Sequence, residues 1–353
     1  MDKRCLTSYT LEQMTALVKE LGQPAFRAKQ IFHWIHQKQV TDFSAMTDQP
    51  KALITRLSEG YTLACHGIRR RQQSVDGTVK YLLELADGNC IETVLMRYNY
   101  GNSVCVSTQV GCRMGCRFCA STQGGRVRNL EAGEILGELY AVMRDTGERI
   151  SHVVLMGIGE PLDNFDNVMD FLSIASSPDG INIGMRNFSL STCGLVPMID
   201  KLAEKKLQLT LSVSLHAPTD EMRSSMMPVN NAYPVAELMA ACRRYQKTTG
   251  RRISFEYSMV RGVNDSDETA RTLARLIRGM GAHVNLIPIN PVDGSPYSAS
   301  DDANVRRFQQ RLTELGVNAT VRRRLGQDIS AACGQLRREE SKGGSADADR
   351  CQN

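Results

Sequence analysis

Gly111 to Cys119 reads Gly-Cys-Arg-Met-Gly-Cys-Arg-Phe-Cys and sets Cys112, Cys116 and Cys119 at the spacing C-x3-C-x2-C. Three thiolates on one short loop are soft ligands suited to an iron-sulfur centre or to zinc, and each of those centres normally takes four. No nearby Cys or His completes a second pair at zinc-finger spacing. The open position therefore reads better as iron kept free for a substrate or cofactor. Three incidental core cysteines are the bland alternative, against which stand the regular spacing, Gly111, Gly115 and the inserted Phe118. A second thiol constellation lies elsewhere. Cys333, in Ala331-Ala332-Cys333-Gly334-Gln335, is flanked by small residues that leave a sulfur accessible, as a nucleophile requires. Alone it would pass for a small core residue, but Cys105 precedes Cys112 by seven positions and supplies a possible partner near the cluster loop.

These residues need a scaffold, and the pattern after Val104 is a repeated strand-then-helix unit. Strands are expected near 104–108, 152–156, 187–192, 208–215, 252–260 and 282–288, with helices near 131–147, 164–176, 194–205, 233–249, 266–280 and 301–316. Such units imply a parallel sheet wound by right-handed crossovers, either open or curled into a partial barrel. Ligand sites in these α/β architectures lie beyond the carboxyl ends of the strands, which is where the cluster loop falls. Met156-Gly157-Ile158-Gly159-Glu160-Pro161 closes the second strand; its glycines allow close backbone approach, and Glu160 can accept from an ammonium group. A tight turn alone would also explain the glycines. Ser191, Ser214, Leu215, His216 and Asn290 end or follow later strands and face the same rim.

Upstream, Thr10-Leu11-Glu12-Gln13 is a capping-box pattern that starts a first helix ending at Gly22. Pro24 begins a second helix in which Trp34 lies among Arg27, Lys29, His33, His36 and Lys38. That basic, aromatic surface could touch RNA, although Trp34 packing a small domain is the plainer reading, with His33 and His36 on the surface. Segments near 62–73, 78–86 and 90–97, separated by Asp76-Gly77 and Asp87-Gly88, read as an antiparallel meander. The expected divisions are a helical, RNA-binding accessory domain over 1–60, a β linker over 61–102, the α/β body over 103–338 and a polar, disordered tail over 339–353.

Composition narrows the class. The 353 residues are 42% hydrophobic and 23% charged, ordinary for a globular protein. No apolar run reaches the 18 or so residues of a membrane span, and Met1 to Tyr9 shows no apolar signal region. Eleven cysteines without a signal segment point to reduced thiols in the cytoplasm. The formal charge is +5, while the last fifteen residues carry four acids and two bases, so the basic excess belongs to the body. It comes in runs: Arg69–Arg71, Arg243-Arg244, Arg251-Arg252, Arg306-Arg307 and Arg322–Arg324. Runs of this kind suit phosphate, though each alone would pass for a solvated face.

With its aromatic before the last Cys, the cluster motif resembles that of the radical S-adenosylmethionine (SAM) superfamily. The whole chain up to the tail is similar to the RlmN/Cfr family of radical SAM RNA methyltransferases. The likeness runs through Phe26-Arg27-Ala28-Lys29-Gln30-Ile31, Ile91-Glu92-Thr93-Val94, Cys105-Val106-Ser107-Thr108-Gln109, Gly157-Ile158-Gly159-Glu160-Pro161, Ser214-Leu215-His216-Ala217-Pro218, Val263-Asn264-Asp265, Asn285-Leu286-Ile287-Pro288 and Ala331-Ala332-Cys333-Gly334-Gln335-Leu336.

The resemblance implies a partial (β/α)6 barrel and a 4Fe-4S cluster on Cys112, Cys116 and Cys119. It also implies SAM held by Gly159, Glu160, Ser191, Ser214, Leu215, His216 and Asn290. Two SAM molecules would serve each turnover: one methylates Cys333, and the other yields the radical that activates the S-methyl group. Glu92 would then remove the proton from adenine, and Cys105 would release product by forming a disulfide with Cys333. The implied targets are C2 of adenosine 2503 in 23S ribosomal RNA and of adenosine 37 in transfer RNAs. The implied setting is a cytoplasmic monomer fed by flavodoxin or ferredoxin. Methylation at C8 of the same ribosomal adenosine is the nearest alternative. A non-catalytic metal-containing RNA-binding protein is the alternative of another class, against which the retained pair Cys105 and Cys333 stands. Ser330 and Arg113 depart from the family's usual residues without removing a reacting group.

Overall fold

The computed structural model describes residues 3–289, 296–326 and 328–329. Near the N-terminus, β1 (Arg4–Cys5), α1 (Leu11–Glu20), α2 (Phe26–His36), α3 (Lys51–Gly60) and β2 (Tyr61–Thr62) share one core, and β1 pairs in parallel with β2. The expected capping box is formed: the Thr10 hydroxyl accepts from the Gln13 amide while the Gln13 side chain accepts from the Thr10 N–H. Met14, Val18, Ile31, Ile35 and Leu57 are buried together, each worth about 1.5–3 kcal/mol of transfer free energy. Trp34 packs against this cluster and donates Nε1–H to Asp48 at 2.7 Å, so its packing role is observed.

His36 corrects the sequence reading. It is fully buried, with Nδ1 2.7 Å from the Tyr140 hydroxyl, because the face of α2 carrying Phe32 and His36 docks on the body. Burial drives its pKa down to about 3, so the ring is neutral.

The meander comprises β3 (Gly67–Gln73), β4 (Val79–Glu84) and β5 (Cys90–Tyr98), with Gly77 and Gly88 at positive φ in the predicted turns. It continues directly into the main sheet, because β5 pairs antiparallel with β6 (Gly101–Cys105). After a hairpin of β7 (Gln109–Gly111) and β8 (Arg126–Asn129) comes the alternating body: α4 (Ala132–Thr146), β9 (His152–Leu155), α5 (Phe165–Ser176), β10 (Phe188–Thr192), α6 (Val196–Glu204) and β11 (Thr210–Ser214). It ends with α7 (Asp220–Met226), α8 (Val235–Thr249), β12 (Ile253–Met259), α9 (Asp267–Leu276), β13 (His283–Pro288), α10 (Asp302–Glu314) and β14 (Asn318–Val321).

The ten-stranded order is β14-β13-β12-β11-β10-β9-β6-β5-β4-β3, in which β6 and β9 to β14 are parallel. This is the partial α/β barrel expected, with β14 as one more parallel strand than the sequence pattern revealed. Alternation along each strand sorts the chemistry. Leu155, Leu190, Leu211, Val213, Phe255 and Leu286 enter the core shared with the helices. The alternate positions Ser189, Ser212, Ser254, Glu256 and Asn285 line a lumen.

Candidate active site

The cluster loop is the loop of the β7–β8 hairpin. Gly111 sits at φ +77°, and a Cβ there would lie 2.0 Å from the Gly125 carbonyl oxygen, so only glycine lets the two strands close. The Cys112 N–H donates to that same carbonyl at 3.1 Å, and the Arg117 N–H donates to Met226 at 2.9 Å, tying the loop to α7. Met114, Cys116 and Phe118 rest on an apolar patch with Met226, Met227 and Cys193. Burial pushes the Cys112 thiol up to about 12, and Cys119 adds to the rise; burial likewise raises Cys116, with Cys119 and Cys112 adding. Thiols that disfavour one another's ionisation are a donor set awaiting a cationic partner.

Among the described residues no three His, Cys, Asp or Glu side chains are grouped for a single metal ion. An iron-sulfur cubane takes one thiolate per iron, and three soft thiols on one loop, close enough to disfavour one another's ionisation, fit that donor set. A fourth thiol escaped the sequence reading: Cys193, buried and electrostatically coupled to Cys112, Cys116 and Glu160.

Beside the loop, Gly159 has φ +111°, and a Cβ there would lie 2.7 Å from Gln109 Cβ and 2.8 Å from Gln109 N. The turn is thus pressed onto the chain following β6. Glu160 is buried, its carboxylate accepting from the Leu162 N–H at 3.1 Å and the Cys193 N–H at 2.7 Å. Burial raises its pKa, against those hydrogen bonds. These bonds fix the end of β10. His216, at φ +56°, accepts from the Ser258 N–H at 2.9 Å through Nδ1 and meets the Phe118 ring edge-on at 4.9 Å. Burial lowers its pKa to about 3, with Arg223 adding to the effect.

Arg223 is the organiser that the sequence concealed. Fully buried, it donates to the carbonyls of Cys193 at 2.6 Å, Ser214 at 3.2 Å and Leu215 at 3.2 Å, and to Asn230 Oδ1 at 3.1 Å. One guanidinium thereby binds the ends of β10 and β11, where Ser191, Ser214 and Leu215 lie.

The structure also brings Glu92 and Cys105 to one face. Val94 pairs with Cys105 across β5 and β6, and the two-residue period puts Glu92, Val94 and Met96 on the same side. Glu92 is not the outward strand carboxylate its position alone would suggest. It is 3% exposed and ion-paired at 3.1 Å with Lys80, which is 0% exposed. Behind it, the buried Glu138 of α4 accepts from Thr93 Oγ1 at 2.5 Å and from the Ser107 N–H at 3.0 and 3.1 Å, and Ser107 Oγ donates to the Glu92 carbonyl at 2.8 Å. Burial holds the Glu138 pKa well above the ordinary range. Lys80 and Glu138 carry no motif, so only the fold reveals them.

Asn290 and Cys333 lie outside the described residues. Among the nine described cysteines no disulfide is formed, and the disulfide with Cys105 that the resemblance implies involves Cys333, outside the described residues. The approach to Cys333 is anchored: Ser74 Oγ and the Val75 N–H donate to Asp328 at 2.5 and 3.1 Å, and the Gly326 N–H donates to Asp76 at 2.9 Å. Among the described residues no helix is long and apolar enough to cross a membrane.

Comparison with known proteins agrees with this geometry. Residues 106–274 match the radical SAM superfamily, and residues 5–63 match the ribosomal RNA large subunit methyltransferase N-terminal domain. The chain is 54% identical over 341 residues to the dual-specificity RNA methyltransferase RlmN of Clostridium perfringens (strain 13 / Type A), covering 96% of this chain and 98% of the relative. It is 50% identical over 343 residues to that of Desulforamulus reducens, covering 97% and 98%. A crystal structure of a radical SAM methyltransferase from Sphaerobacter thermophilus superposes with a TM-score of 0.89 at 46% identity, covering 94% of this chain and 98% of that one. A hairpin presenting three thiols at the end of a partial α/β barrel, with these relatives along nearly its whole length, places the chain in the RlmN family of radical SAM RNA methyltransferases.

Proposed function

We propose that this enzyme methylates C2 of adenosine 2503 in 23S ribosomal RNA and of adenosine 37 in transfer RNAs through an S-methylated Cys333. The observation that carries the reading is the placement of Glu92 and Cys105 on one inward face of adjacent strands. Adenine C2 is electron-poor and has no nucleophilic lone pair, so ordinary displacement on SAM cannot methylate it. A cluster on Cys112, Cys116 and Cys119 with bound SAM supplies the one-electron chemistry that this carbon demands.

The remaining work belongs to the chain. Gly159, Glu160, Ser191, Ser214, Leu215, His216 and Asn290 hold SAM. Cys333 displaces a methyl group from SAM, losing its thiol proton as S-adenosylhomocysteine departs. Once the carrier carbon is joined to C2, Glu92 accepts the C2 proton, and the adduct's unpaired electron would return to the one-electron centre that supplied it. Cys105 then attacks the Cys333 sulfur: an S–S bond forms, the S–C bond breaks, and its electron pair takes up a proton to complete the new methyl group. Two SAM molecules are consumed, and a flavodoxin- or ferredoxin-type protein supplies electrons to a cytoplasmic monomer.

The test is anaerobic reconstitution with methyl-labelled SAM, followed by nucleoside analysis of RNA treated with wild type and Cys333→Ala. Label in 2-methyladenosine from wild type alone is expected. Equal label from both proteins would remove Cys333 from the chemistry, and 8-methyladenosine without 2-methyladenosine would reassign the position.

A further inference from the structure

The lumen opens at the end of the barrel opposite the cluster loop. A cavity of about 560 Å³ is lined by Thr210 and His283 at the first residues of β11 and β13, by Arg251 and Arg252 immediately before β12, and by Tyr98 and Tyr100 at the β5–β6 turn. All of these mark the amino-terminal mouth. Its inner wall includes Met96, Val154 and Met156, the residues packed on Cys105. The cavity therefore leads from solvent to the neighbours of a reacting thiol without passing the cluster loop.

Its lining suits one class of guest. Arg252 and Arg322 are exposed at its edge, members of arginine runs that no other part of the site uses. Tyr98 and Tyr100 stack at 4.8 Å with 8° between their planes, and Tyr100, which also meets His152 at 5.0 Å in a T-shaped contact, is 65% exposed. Deeper in, Glu256 is buried and accepts from Ser254 Oγ at 3.3 Å on Oε1 and Asn285 Nδ2 at 2.7 Å on Oε2, with Ser212 a further donor and the Arg322 charge favouring its carboxylate against the cost of burial. A carboxylate offers about four acceptor sites, so capacity remains beyond these three donors. Cations at a rim, an aromatic platform and a deep hydrogen-bond acceptor are what a splayed-out nucleotide of single-stranded RNA requires.

We propose that the target nucleotide enters through the amino-terminal mouth of the barrel, with Arg252 and Arg322 holding backbone phosphates, Tyr100 continuing the base stack and Glu256 accepting from the adenine 6-amino group. This route reverses the general rule that α/β ligands enter at the carboxyl ends of strands. SAM and substrate thereby approach Cys105 from opposite sides. The assignment of Glu256 rests on adenosine being the target; the docking surface rests only on RNA being the substrate.

Filter binding of holoenzyme to a target stem-loop RNA tests the surface. The double variant Arg252→Ala, Arg322→Ala should lose about tenfold or more in affinity and lower the slope of log K against log salt by about 1 to 2. Arg271→Ala, an exposed arginine on the outer helix α9, should bind as wild type does. The same RNA carrying purine riboside, which lacks the 6-amino group, tests the pocket. Wild type should prefer adenosine by about 10- to 100-fold in kcat/KM, and the near-isosteric Glu256→Gln should cut that preference at least fivefold while keeping RNA affinity. Unchanged affinity and salt slope in the double variant would overturn the docking surface, and an unchanged preference in Glu256→Gln would overturn the reader. Failure of the adenosine reading looks different: wild type itself would then leave adenosine unmethylated.

Discussion

Replacing Lys80 by Met would remove the ammonium group 3.1 Å from Glu92 while leaving the carboxylate in place, at side-chain exposures of 0% and 3%. A group so buried cannot recover its hydration, and losing one partner of such a pair costs about 3–5 kcal/mol. Glu92→Gln removes the carboxylate charge beside the lysine instead and should cost a similar amount. The double variant Lys80→Met, Glu92→Leu replaces both charges with apolar groups and should return to within about 2 kcal/mol of wild type. The sum of the single losses would then exceed the double loss by several kcal/mol, the signature of direct coupling. Urea unfolding of proteins matched in iron content reads these differences. A Lys80→Met loss below about 1 kcal/mol, or simple additivity, would refute the idea that this pair fixes Glu92 in the lumen.

Other outcomes follow from the same geometry. Gly159→Ala places a methyl 2.7 Å from Gln109 Cβ and imposes φ +111° on a residue that resists it, so SAM affinity by equilibrium dialysis should fall at least tenfold. Arg223→Met removes the donor shared by the Cys193, Ser214 and Leu215 carbonyls, a loss of about 3–5 kcal/mol in unfolding measurements, and SAM should restore less stability than it does in wild type. His36 has its pKa lowered from 6.5 to about 3 by burial, so its stabilising contribution is complete above pH 6.5 and is lost as pH falls toward 3. Stability should therefore fall by about 1.4 kcal/mol per pH unit below 6.5 through this group alone, and His36→Gln should flatten the curve by that amount. An unchanged slope would mean that His36 titrates normally.

Much of the site was legible because its parts are local. Cys112, Cys116 and Cys119 occupy one loop, Gly157 and Gly159 one turn, and the strands bearing them announce themselves by apolar runs followed by helical periods. What stayed hidden depends on long-range pairing. Nothing near Arg223 distinguishes a buried arginine from a solvated one until β10 and β11 end against it. Lys80 and Glu92 are twelve residues apart in sequence and become partners only when β4 and β5 fold together. His36 read as a surface residue because the helix that carries it is basic, whereas docking on Tyr140 decides its burial. The strand β14 is four residues long, too short for alternation to register.

The reciprocal hold of Asp328 on Ser74 and Val75, and of Asp76 on Gly326, acts as a tether post. Five peptide units separate Asp328 from Cys333, and a fully extended chain gains no more than about 3.6 Å per residue. Under the role proposed for Cys333, its sulfur works on a leash of about 18 Å, plus the length of one side chain, measured from the β3–β4 turn. A methyl group can be collected at one station and delivered at another only if both lie inside that radius. Lengthening the leash would dilute the sulfur over a larger volume without altering any reacting group.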